Sequence, residues 1–253
     1  MYYEQQGAGK PILLLHGWGC DSSFMRPVAT RLSDRFQTLC LDFPGHGQSG
    51  HPPEPWGVPE YAEALHQLLE RLEYCPCAVI AHSFGARVAT WLASQDRNAL
   101  FTKIILTGAA GIRPPQSETS RKKAEAYQRG KRISQALEKT GIFAPAALML
   151  RKKLQQRYGS ADYNALDDEM KKTFVKVISL DLLDCYERIQ QPTLLMWGDQ
   201  DTETPLWMGY EMEKRIPDAG MVVLEGGTHF AYLEQIDRFT AIVRHFLTEA
   251  EAT

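Results

Sequence analysis

Cys77-Ala-Val-Ile-Ala-His-Ser-Phe-Gly-Ala-Arg-Val-Ala89 is the stretch on which the reading of this chain turns. An apolar run, Ala78 to Ala81, leads into Ser83, and an alanine-rich pattern of helical character starts at Phe84. The order is strand, sharp turn, helix, with a hydroxyl at the apex. A turn that tight admits only small residues two positions before and two after the serine. Ala81 and Gly85 stand there, one methyl group more than a glycine pair would carry. The turn should lift the serine oxygen clear of the sheet edge. It should also leave the Phe84 N–H at a helix amino terminus, aimed where an oxyanion would form. Alone, the stretch also fits an ordinary strand-to-helix loop that contains a serine, so its partners must decide.

Upstream, Pro11-Ile-Leu-Leu-Leu15 is a continuous apolar run, as expected of a central strand covered on both faces. It ends in His16-Gly17-Trp18-Gly19, where glycines let the backbone turn so that the Trp18 N–H can face the crevice as a second oxyanion donor. Tyr2 to Gln5 reads as a short edge strand. Ser22 or Ser23 is expected to cap a helix reaching about Leu32, and Gln37 to Leu41 forms the next strand. Asp42-Phe-Pro-Gly-His-Gly-Gln-Ser49 is a turn dense in glycine and proline, in which His46 reads as a turn residue rather than a base. Val58 to Glu73 has helical spacing, with Tyr61, Leu65, Leu68, Leu69 and Leu72 on one side.

Downstream, a helix to about Gln95 precedes the strand Lys103 to Thr107. After a gap, the alternation resumes with the strand Pro192 to Trp197, a helix near Leu206 to Arg215, the strand Met221 to Glu225 and a closing helix from Ala231 to Ala250. Repeated strand–helix alternation argues for an α/β fold built on a doubly wound, mostly parallel sheet, with residues 1–110 and 192–253 as its core. Between them, residues 111–191 carry helical patterns with few strand signals, punctuated by Pro114-Pro115, Gly141 and Gly159. They are expected to form a helical cap on the sheet edge that bears Ser83. From Arg113 to Arg157 there are twelve Lys/Arg against three Glu. Two readings stay open: a solvated helical face, or an entrance tuned to an anionic substrate or an acidic partner.

The 253 residues carry a net charge of −3 and 44% hydrophobic residues, which gives no push toward nucleic acid. No apolar run approaches the roughly 20 residues of a membrane span, and the start has no signal-peptide pattern. Cys75-Pro-Cys77 has no second Cys/His pair nearby, so a metal site is not expected. Five scattered cysteines fit reduced thiols and a cytoplasmic location.

A serine hydroxyl needs a base within hydrogen-bond reach, and the base needs a third group to fix its tautomer. Gly198-Asp199-Gln200-Asp201-Thr202-Glu203-Thr204-Pro205 follows the penultimate strand, and Gly226-Gly227-Thr228-His229 follows the last. In a parallel sheet both loops open on the crevice that Ser83 faces. The candidate catalytic set is therefore Ser83, an aspartate and His229, in the chain order Ser, Asp, His.

With these segments the sequence resembles the α/β-hydrolase superfamily over essentially its whole length. The resemblance implies that Asp201 is the acid, with Asp199 as the alternative, and that no cofactor is needed. It implies a serine hydrolase acting on a small-molecule carboxylic ester or thioester. Ala81 in place of the usual glycine is a departure. His-Gly-Trp-Gly with a helical cap is similar to pimeloyl-carrier-protein methyl ester esterases, which implies an anionic or carrier-linked substrate. Arg87, one turn past Ser83, resembles the arginine of menaquinone-pathway lyases, which implies a substrate contact. The arrangement also resembles carbon–carbon bond hydrolases, although Phe230 stands where those commonly have tryptophan. A non-catalytic binding protein on the same fold is the remaining alternative.

Overall fold

The computed structural model describes residues 1–95, 100–113 and 166–249, with scattered positions between 122 and 163. Pro114-Pro115, Gly141, Gly159 and most of the basic stretch 113–157 lie outside the described residues. The chain divides into two compact units, Met1–Ile112 with Val175–Thr253, and Arg113–Phe174.

Seven strands form one sheet: β1 (Tyr3–Gln6), β2 (Lys10–Leu15), β3 (Phe36–Leu41), β4 (Cys77–His82), β5 (Phe101–Thr107), β6 (Thr193–Gly198) and β7 (Ala219–Leu224). Their order is β1-β3-β2-β4-β5-β6-β7. Only the edge strand β1 runs antiparallel; every other pairing is parallel. From β2 the chain steps outward to β3 and then crosses back to β4. That reversal creates a crevice at the carboxyl ends of β2 and β4, where ligands settle in open α/β sheets.

The apolar runs are explained by two-sided burial. Along β2, Leu13 and Leu15 pack with α2 (Val58–Arg71) and α3 (Phe84–Ala93). Ile12 and Leu14 pack on the opposite face with α1 (Ser22–Leu32) and α8 (Ile236–Thr248). The remaining helices described are α4 (Asp168–Ser179), α5 (Leu183–Tyr186), α6 (Trp207–Arg215) and α7 (Ala231–Glu234).

Two local expectations are corrected. The cap of α1 is Asp21, whose carboxylate accepts the Ser23 N–H at 2.8 Å, rather than Ser22 or Ser23. Ser22 is itself the first helical residue, and its N–H goes to Asp42 Oδ1 at 2.6 Å. The closing helix is also not continuous. It breaks at Gln235 (φ −119°, ψ 44°), whose side-chain amide donates to the Glu225 carbonyl at 2.8 Å. Asp42 locks the glycine-rich turn as well, its Oδ2 accepting Gln48 N–H at 2.7 Å and its carbonyl accepting Ser49 Oγ at 2.6 Å.

Candidate active site

Ser83 sits between the end of β4 and the first residue of α3 with φ 49° and ψ −105°. A non-glycine residue in that region is strained by roughly 1–3 kcal/mol and persists only where its surroundings hold it. Here the Ser83 N–H donates to Thr107 O at 3.2 Å, and Ser83 O accepts the Ala110 N–H at 3.3 Å, so the last residue of β5 and the loop after it hold the serine backbone on both sides. From the β2 side, Gly85 N–H donates to His16 O at 3.1 Å.

Close approach explains the small residues. A Cβ at Gly85 would lie 2.7 Å from Leu15 Cβ and 2.8 Å from His16 O. One at Gly17 would lie 2.8 Å from His82 Nδ1 and 3.3 Å from Ser83 Cβ. The loop after β2 is therefore pressed against the serine turn, and Ala81, wholly buried between β2 and β5, is the largest side chain present at the three small positions. As the first residue of α3, Phe84 has an N–H with no acceptor inside its own helix. The Trp18 ring packs edge-on against the Phe84 ring, centroids 5.3 Å apart.

The candidate acid and base are joined by hydrogen bonds. Asp201 follows β6, and its Oδ1 accepts the N–H groups of Glu203 and Thr204, each at 2.9 Å. Its Oδ2 accepts Thr204 Oγ1 and His229 Nδ1, each at 2.8 Å. The side chain of Asp201 is fully buried and that of His229 is 14% exposed. Burial alone would raise the Asp201 pKa. The bonds from His229 and Thr204 outweigh it and hold the carboxyl below its ordinary value. Because Nδ1 must donate to that carboxylate, neutral His229 carries its acceptor lone pair on Nε2. Asp199 is occupied elsewhere, accepting the Gly226 N–H at 2.7 Å. The Ser83 hydroxyl makes no hydrogen bond to the His229 ring among the described residues. Such bonds are often long without substrate and tighten in the reacting complex.

Two further residues join the site, Thr204 and His82. Thr204 braces Asp201, and its carbonyl accepts Trp197 Nε1 at 2.6 Å, which ties the Asp201 loop to β6. Asp-x-x-Thr before a proline and a helix is a side-chain-to-backbone turn signature, so a local signal existed. His82, directly before Ser83, donates from Nε2 to His229 O at 2.9 Å across 147 positions. The two rings lie 4.6 Å apart, and burial pushes the His82 pKa down to about 3. No local pattern announces that bond.

Other candidates fall beside this cluster. His46 is 7% exposed, packed against His16, Trp18 and Phe84, and burial holds its pKa at about 4. His16 donates from Nδ1 to Gly17 O at 2.7 Å and accepts Phe43 N–H on Nε2 at 3.0 Å. Arg87 is buried, and its Nη1 donates to Leu180 O at 2.9 Å and Val177 O at 3.4 Å. Among the described residues no group of His, Cys, Asp and Glu is placed to hold a metal ion, and no helix is long and apolar enough to cross a membrane.

Comparison with known proteins places this geometry in context. The profile of the alpha/beta hydrolase family matches residues 12–242. An uncharacterized protein of Mycobacterium tuberculosis is 27% identical over 271 residues, covering 97% of this chain and 77% of that protein. The pimeloyl-[acyl-carrier protein] methyl ester esterase of Chromobacterium violaceum is 24% identical over 258 residues, 99% of each chain. Among solved structures, an esterase from Exiguobacterium antarcticum aligns with a TM-score of 0.74 at 19% identity, over 98% of this chain and 95% of that one. At that identity the likeness speaks for the fold.

Proposed function

We propose that this chain, which belongs to the alpha/beta hydrolase family, is a serine hydrolase that cleaves a carboxylic ester or thioester through an acyl-enzyme. The observation that carries the reading is the 2.8 Å contact of His229 Nδ1 with a buried, fourfold hydrogen-bonded Asp201, the His229 carbonyl being held by His82, the residue that precedes Ser83.

Ser83 Oγ attacks the substrate carbonyl carbon while His229 Nε2 takes the hydroxyl proton. Asp201 fixes the tautomer and stabilises the imidazolium that forms. The N–H groups of Phe84 and Trp18 hold the oxyanion, each donor supplying roughly 3–4 kcal/mol of transition-state stabilisation. The imidazolium then protonates the leaving alcohol or thiol. In the second half His229 takes a proton from water, the hydroxide equivalent attacks the acyl carbon, and Ser83 leaves with its proton restored.

Arg87 is a positioning residue in this scheme. Its guanidinium ties the end of α4 to the helix that starts at the nucleophile. The helical cap over residues 111–191 remains part of the proposal, and its twelve Lys/Arg against three Glu between 113 and 157 support an anionic or carrier-linked acyl group. The full-length similarity to a pimeloyl-[acyl-carrier protein] methyl ester esterase supports the same substrate class. The odd number and scattered spacing of the cysteines fit a cytoplasmic setting.

A fluorophosphonate probe should label Ser83 of the native protein, and Ser83→Ala should abolish both labelling and turnover of a p-nitrophenyl ester, with loss on the order of 10⁴-fold or more. Retained ester turnover in a folded Ser83→Ala protein would remove the nucleophile assignment. Turnover of charged and uncharged esters of one acyl length tests the substrate class. Equal kcat/KM for both would leave the basic stretch a solvated face.

A further inference from the structure

Cys75 and Cys77 lie just before and at the start of β4, with their sulfurs 3.9 Å apart. Ser83 stands at the other end of that strand, six residues on, or about 20 Å at the usual rise. The pair therefore lies outside the chemistry proposed above and needs a role of its own. We propose that Cys75 and Cys77 are a redox modification site, closing to an intrachain disulfide by exchange with a low-molecular-weight disulfide of the glutathione type, with the Cys75 sulfur attacking first.

Three observations carry this. A disulfide bond is about 2.05 Å long, so closure asks for an approach of roughly 2 Å between sulfurs already in contact. None of the five cysteines is in a disulfide, and Cys20, Cys40, Cys77 and Cys185 are buried while Cys75 is half-buried, so Cys75 is the one a reagent can reach. The contact also divides the labour. The bond from Cys77 holds the Cys75 thiol below its ordinary pKa, whereas that bond and burial push the Cys77 thiol up. The thiolate, which is the attacking species, therefore forms at Cys75, with the Cys77 S–H directed at it. Cys77 Sγ also lies 3.9 Å from Leu100 O.

The exchange balances in two steps. The Cys75 thiolate attacks one sulfur of R–S–S–R, forming Cys75–S–S–R and releasing R–S⁻. That thiolate takes the Cys77 proton, and the Cys77 thiolate attacks the Cys75 sulfur and expels the second R–S⁻. Two cysteine thiols are oxidised and one external disulfide is reduced to two thiols.

Intact-mass spectrometry of the native protein in oxidised glutathione, followed by a digest, reads the result. The wild type should lose two hydrogens in mass, with both thiols of the 75–77 segment closed to alkylation and both restored by dithiothreitol. Cys77→Ala should instead accumulate a single glutathione adduct on Cys75, and Cys75→Ser should react at least about 10-fold more slowly than the wild type. Melting temperatures would confirm that both variants are folded. A wild type that keeps a stable adduct on Cys75, bonds it to another cysteine, or does not react would overturn the proposal. None of these outcomes touches the assignment of Ser83, since labelling by the fluorophosphonate is read separately.

Discussion

The two halves of the candidate site are held by different forces. Around Ser83 the side chains are constrained sterically, with Gly85 against Leu15 and Gly17 against His82 and Ser83, on a strained turn held by backbone hydrogen bonds. Around Asp201 and His229 the constraint is polar: four hydrogen bonds converge on one buried carboxylate, and His82 holds the His229 carbonyl. Steric holding responds all or nothing, because backbone cannot yield to an added methyl group. Polar holding responds in steps, one bond at a time.

The proposed roles turn this contrast into measurements. The largest effect after loss of the nucleophile belongs to Asp201→Asn. An amide in that place can donate to Nδ1, which forces the proton onto Nε2 and leaves the ring no lone pair for Ser83. Turnover of a p-nitrophenyl ester should fall by about 10⁴-fold with the fold intact. A loss under about 10-fold would mean that Asp201 does not orient the base.

Next comes acid stability. The His46 pKa lies near 4 in the folded chain against an ordinary 6.5, and His82 near 3. Between the ordinary and folded values the unfolded chain binds protons that the folded chain does not, so stability must fall as pH drops from about 6.5 and level off below the folded values. For His46 the whole drop is on the order of 3 kcal/mol. Urea midpoints across that range should decline more steeply for the wild type than for His46→Gln. Parallel curves would show that His46 protonates freely in the folded protein.

Gly85→Ala tests the steric half. The added methyl group meets Leu15 Cβ and two backbone carbonyls, and overpacking of this kind costs about 1–3 kcal/mol. The urea midpoint should drop, and the surviving folded protein should lose fluorophosphonate labelling. An unchanged midpoint would show that the turn has slack. Thr204→Val is the mildest. It removes one hydroxyl from Asp201 Oδ2 and leaves Asp201 three other donors, so kcat should fall about 10-fold with KM unchanged. A KM effect instead would place Thr204 against the substrate.

Much of this was written in short stretches of the chain. Ala81-x-Ser83-x-Gly85 announces a tight turn because the space two residues from a strained backbone depends on its nearest neighbours alone. The apolar runs announce buried parallel strands in the same way, and their order predicts which loops share an edge with Ser83. The elements misread were those where a side chain reaches past its neighbours: Asp21 displaces the serines as a cap, and Gln235, bonded to Glu225, interrupts the last helix.

Long-range partners could not be read that way. Local pattern leaves Asp199 as an alternative to Asp201, and the chain's return through β7 brings Gly226 to the first and His229 to the second. The bond from His82 to the His229 carbonyl and the seating of Arg87 on Val177 and Leu180 likewise depend on how distant loops are docked. Backbone sterics act over a few residues and leave a trace in the local pattern. A hydrogen bond across 147 positions requires donor and acceptor within about 3 Å, and the packing of the whole sheet sets that distance.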